Sequence, residues 1–114
     1  MNRAPNWTYE EIAVVAALLY RSNWKYLDPK SDEVCYLSRV LNNASIHPLE
    51  VRGDKFRNPS GVARKMVNLY ACYPEYTGAP SHGGKTDRIV VEELLEDPES
   101  FLEKADEILN SLIN

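Results

Sequence analysis

The sequence predicts an all-α fold, a compact bundle of about five helices in a single domain spanning residues 1–114, with the first three in a helix-turn-helix-like arrangement. Three observations point there. Apolar residues recur at helical spacing in five segments, four of those segments open on recognisable caps, and strand-type alternation is weak throughout. The length, 114 residues, is one domain's worth, with 44% hydrophobic and 26% charged residues.

The first helix should run from Tyr9 to about Tyr20. Thr8 and Glu11 form a capping box, with Trp7 and Ile12 placed as a hydrophobic staple. Ile12, Val14, Val15, Leu18 and Leu19 give a stripe wide enough for a central, buried helix. A polar link carrying Trp24 and Tyr26 leads to a second helix, capped by Ser31, stopped by Asn42-Asn43 and presenting Val34, Leu37 and Leu41. Residues 44–57 read as a loop through His47-Pro48 and Arg52-Gly53-Asp54. Asn58 as N-cap and Pro59 at the first position open a third helix reaching about Cys72. Its buried face is Val62, Met66, Leu69 and Tyr70. A glycine-rich loop (Gly78–Gly84) precedes a fourth helix over about Thr86–Leu95, and Asp97-Pro98 opens a fifth bearing Phe101, Ala105, Ile108 and Leu112.

Charge is unevenly placed. The net charge is -4, but residues 51–88 hold seven cations against three acids (+4), and residues 89–114 hold Lys104 against eight acids (-7). A basic middle with an acidic end suits a polyanion-binding surface with a solubilising remainder. On charge alone two ordinary solvated faces are favoured, since a pI of 5.2 is far from that of typical nucleic-acid domains.

Other functions find little support. No stretch approaches the ~18–20 apolar residues of a membrane span, so no membrane partner is expected. The start of the chain has no apolar signal core, and Cys35 and Cys72 are too few for a disulfide framework; a cytoplasmic, reducing setting is the expectation. His47 and His82 sit in no nucleophile pattern, so no catalytic residue is expected. With Cys35 and Cys72 they are spaced too widely for a structural zinc site, and neither metal nor cofactor is expected. Gly78 and Gly84-Lys85-Thr86 miss the phosphate-loop pattern by one residue, with no strand before them. What remains there is a glycine loop with Lys85 opening a helix, whose N–H groups suit one backbone phosphate.

The most informative stretch is 57–68. Gly61, Arg64, Lys65 and Asn68 fall on one helix face, a small residue followed by a cationic and amide stripe. Gly at that position costs about 1 kcal/mol against Ala, which makes sense if another backbone must come close. A major groove admits such a helix; Arg pairs with guanine and Asn with adenine. A solvated face is the equal alternative. On either reading the face is exposed, and replacing Arg64 and Lys65 together by Ala should leave the melting temperature nearly unchanged.

Trp7-Thr8-x-Glu10-Glu11, Trp24 and a third helix with Lys65 and Asn68 resemble Myb/SANT-type three-helix domains, though over about half the chain. A second resemblance covers nearly all of it. Trp7-x-x-Glu10-Glu11, Leu19-Tyr20, the helix Val34–Leu41, then Arg57-Asn58-Pro59-x-Gly61-Val62-x-x-Lys65-x-x-Asn68-Leu69 and the glycine loop are similar to the N-terminal domain ahead of HNH nuclease modules in McrA-like, modification-dependent restriction endonucleases. This resemblance implies double-stranded DNA as partner, with modified bases among the features read, and Arg57, Asn58, Gly61, Lys65 and Asn68 as contacts. Charge and position add Arg52, Lys55, Ser60, Arg64, His82 and Lys85. The chain has no HNH segment and should not itself cut DNA; a fused or associated HNH nuclease domain is implied. The rival expectation is a protein-interaction module or homodimer using Phe101, Ile108 and Leu112 of the acidic last helix.

Overall fold

The computed structural model describes residues 5–76, 78 and 84–113, and among them the chain is helical with no strand. Five α-helices follow one another: α1 (Tyr9–Arg21), α2 (Asp32–Asn43), α3 (Pro59–Tyr70), α4 (Lys85–Glu96) and α5 (Pro98–Ile113), with a single 3-10 turn at Leu49–Val51. Their limits differ from the sequence expectation by a residue or two at the ends, where helices fray. None of them is long and apolar enough to cross a membrane.

α1 is the axis. Its composition, Ile12 through Ala17 with Leu19, is apolar on almost every side, and all seven of those side chains are buried. A helix hydrophobic all round has to be surrounded, and α1 touches each of the other four. Those four close a circuit about it, α2 on α3, α3 on α4, α4 on α5 and α5 on α2. Ala13, Ala16 and Ala17 keep the axis thin enough for this. Across the axis, α3 and α5 face away from each other and share no contact.

The caps form as their residues dictate. The Thr8 hydroxyl accepts from the Glu11 N–H at 3.2 Å, and the Glu11 carboxylate accepts from the Thr8 N–H at 3.0 Å. Ser31 accepts from the Val34 N–H at 3.3 Å. Asn58 accepts from the Gly61 N–H at 2.8 Å, with Pro59 in the first helical position, where its missing N–H loses nothing. α1 ends where Asn23 and Trp24 both turn left-handed, at φ 59° and 61°. That turn swings the Trp24 ring onto Tyr73 beyond α3, stacked at 4.3 Å.

The all-α class is as expected, but a helix-turn-helix-like arrangement of α1–α3 is not confirmed: the links 22–31 and 44–58 are far longer than the ~3–4-residue turn of such a unit. Phe101 is buried, and Ile108 and Leu112 pack half-buried on the same core, so part of the apolar face of the last helix is turned inward, while Ile113 stays exposed.

Candidate nucleic-acid interface

The outward face of α3 and the turn before it make one wall of a groove of about 330 Å³, lined by Trp7, Lys55, Arg57, Gly61, Arg64, Lys65 and Asn68. Beyond Trp7, Arg57 and Lys65 lies a second, polar depression of about 490 Å³ that reaches Gly84, Lys85 and Thr86 at the start of α4. Trp7 is half-buried between them. The fold therefore brings Lys55, Arg57, Gly61, Arg64, Lys65, Asn68 and Lys85 around one surface. Ser60 is exposed on the first turn of α3. His82 lies outside the described residues.

Placement and availability differ. Lys55, Arg64 and Lys85 are exposed, and their side chains have no hydrogen-bond or ion-pair partner among the described residues. The other basic residues expected to meet phosphate are already engaged.

Arg57 is 4% exposed. Its Nε donates to Glu11 Oε2 at 2.8 Å and its Nη2 to Glu11 Oε1 at 3.0 Å, with further bonds from Nη2 to the carbonyls of Pro5 and Asn6 at 3.0 and 3.2 Å. The guanidinium lies over the rings of Trp7 and Phe56 at 4.3 and 4.5 Å. It is an internal cation, because α1 buries a carboxylate that must be paired. His47 completes the cluster, its Nε2 at 2.9 Å from Glu11 Oε1. Burial pushes the Glu11 carboxyl up, but the hydrogen bonds from Arg57, the Thr8 N–H and His47 outweigh it and hold the group below its ordinary value.

Lys65 is also taken. Its Nζ lies 3.1 Å from both oxygens of Asp87 and 5.4 Å from the centre of the Trp7 ring. The Asp87 side chain is 2% exposed and also accepts from the Gly84 N–H at 3.0 Å. A phosphate drawing Lys65 away would strand a buried carboxylate, which is strongly unfavourable. So the Arg64/Lys65 pair is not one exposed unit, and the carboxylate of Asp87 already occupies part of the α4 N-terminus that the sequence offered to a phosphate.

Arg52 caps α2. Its guanidinium donates at 2.6 Å each to the carbonyls of Asn42 and Ala44, groups a helix C-terminus leaves open, and at 2.7 Å to the carbonyl of His47 in the link beyond. Asn58 is committed to its cap. Gly61 has a local reason: a side chain there would place Cβ 3.1 Å from Asn58 Oδ1, crowding the cap that binds its own N–H.

The sequence reading missed Glu11, His47 and Asp87 as builders of this surface. Glu11 was legible as a capping residue, and nothing in the spacing of 11, 47 and 57 announces their meeting. No group of three His, Cys, Asp or Glu among the described residues is arranged to hold a metal ion. The arrangement is that of a small helical domain with a basic groove on one side and an acidic helix on the other. No family model, curated protein or solved structure matches the chain.

Proposed function

We propose that this chain is a DNA-binding module that lays the outer face of α3 and its flanking segments against double-stranded DNA. The carrying observation is the set Lys55, Arg64 and Lys85, with exposed side chains unpaired among the described residues, on two adjoining depressions that no α5 residue lines. Phosphate contacts from these cations position the module. Arg64, followed one helical turn later by Asn68, is placed to reach base edges, with modified bases among its targets. Its resemblance to the domain ahead of HNH nuclease modules fits a targeting role in, or related to, a restriction endonuclease, with cutting left to a nuclease domain.

The test is a salt titration of binding to plain and methylated duplex by fluorescence anisotropy. Three cations neutralising three phosphates give a log K that falls by roughly 2.7 per tenfold rise in salt. No binding to any duplex at ~50 mM salt, where electrostatic contacts are strong, removes the reading. A dimer that dissociates with salt and ignores DNA would favour a protein-interaction module instead.

A further inference from the structure

We infer that Arg57 is the positioning residue of this groove, acting through Glu11 and touching no phosphate; the inference deepens the DNA-binding reading and rests on it. Lys55 to Asn58 form a four-residue turn closed by the Asn58 N–H on the Lys55 carbonyl at 3.1 Å. Arg57 is third in that turn at φ 45°, a left-handed position where glycine is the ordinary occupant. A residue with a side chain holds such a conformation only when its surroundings over-determine it, and here they do so from both ends. The Arg57 carbonyl accepts from Ser38 Oγ at 2.8 Å and Asn42 Nδ2 at 3.3 Å, both on α2. The side chain is clamped to Glu11 on α1 and to the carbonyls of Pro5 and Asn6.

This one residue thus fixes three things at once: the segment that carries Trp7, the carbonyl of Lys55, and the cap from which α3 starts. The free cations on either side, Lys55 and Arg64, are held in register by it. A lysine keeps the charge at this place but lacks the planar fork that binds Glu11 and the two carbonyls together.

Binding of labelled duplex by the whole chain, measured across a salt series well below the melting temperature of each variant, separates positioning from contact. Arg57→Lys should weaken binding roughly tenfold, within the usual range of coupling between sites, with the salt slope unchanged. Arg64→Ala should lower the slope by ~0.9. Glu11→Gln should also weaken binding, because it loosens the clamp.

The inference is overturned if Arg57→Lys lowers the slope as Arg64→Ala does, or if Glu11→Gln binds more tightly, since a guanidinium freed onto phosphate would do that. If the unaltered chain ignores duplex DNA, the functional reading falls. The positioning role is then read from backbone amide shifts of Glu11→Gln. Movement at Lys55, Gly61 and Arg64 supports it, and shifts confined to residues 5–12 overturn it.

Discussion

Arg64 and Lys65 are neighbours on α3, equal in charge, and should respond oppositely to truncation. The Lys65 ammonium sits 3.1 Å from both oxygens of Asp87, with only 12% of the lysine side chain and 2% of the aspartate exposed. Lys65→Ala leaves the Asp87 carboxylate buried with the Gly84 N–H as its remaining hydrogen-bond partner among the described residues. Breaking a buried pair from one side costs ~3–5 kcal/mol. Lys65 keeps some contact with water, which places the expectation near 3. At roughly 4 °C per kcal/mol for a domain of this size, the melting temperature should fall by about 12 °C. Arg64→Ala should stay within ~0.5 kcal/mol. Urea unfolding followed by circular dichroism measures both. Asp87→Asn added to Lys65→Ala should recover much of the loss, because the charge that needed a partner is gone. Equal stability of the two single variants, or no recovery in the double, would refute the assignment of Lys65 to the interior.

Leu19→Ala, at a side chain 1% exposed on the axial helix, should cost ~2–5 kcal/mol in the same assay through the cavity it opens. Arg52→Ala should lose ~1–3 kcal/mol by leaving the α2 carbonyls without donors, while the salt slope of DNA binding stays unchanged. The depressed Glu11 carboxyl gives a sign to the pH dependence. Its stabilising contribution is complete above its ordinary value of 4.5 and is lost as pH falls through the lower folded value. Glu11→Gln should therefore narrow the stability gap between pH 7 and pH 3, and an unchanged gap would count against the buried cluster.

Local signals carried most of the fold. Thr8-x-x-Glu11, Ser31 and Asn58-Pro59 state where helices begin, and the run Ile12–Leu19 states that α1 must be enclosed, because each is a matter of neighbours within a turn or two. The candidate surface was legible only as a helix face. Which of its cations are free depends on carboxylates distant in the chain: Glu11 for Arg57, Asp87 for Lys65. Periodicity places Lys65 on the outward side of α3, and it does lie there. Its tip nonetheless bends to α4, since a lysine stem is long enough to reach across a helix pair. Arg52 is the same lesson in the link, where an apparently exposed cation serves three carbonyls.

The proposed binding of a polyanion by an acidic chain needs an account of its own repulsion, and the topology supplies one. Of the acids in residues 89–114, Glu99, Glu103, Asp106 and Glu107 lie on α5, which shares no contact with α3 across the axial helix, while Glu92, Glu93 and Glu96 lie on α4, whose first turn carries the free Lys85. The molecule measures 27 Å in its thinnest direction. At ~0.15 M salt, exposed charges are screened beyond ~8 Å, so DNA resting on α3 feels little of the far side; at ~0.01 M the screening length is ~30 Å and spans the whole protein. The acidic side should then push back. Log K should rise linearly as salt is lowered toward ~0.1 M and flatten as the screening length approaches the protein's thickness. Charge-neutralising substitutions on α5, Glu103→Gln with Glu107→Gln, should restore linearity at the low-salt end and leave the physiological range unchanged. If they raise affinity equally at all salt concentrations, the acidic helix lies beside the bound DNA, and the face assigned to it is the wrong one.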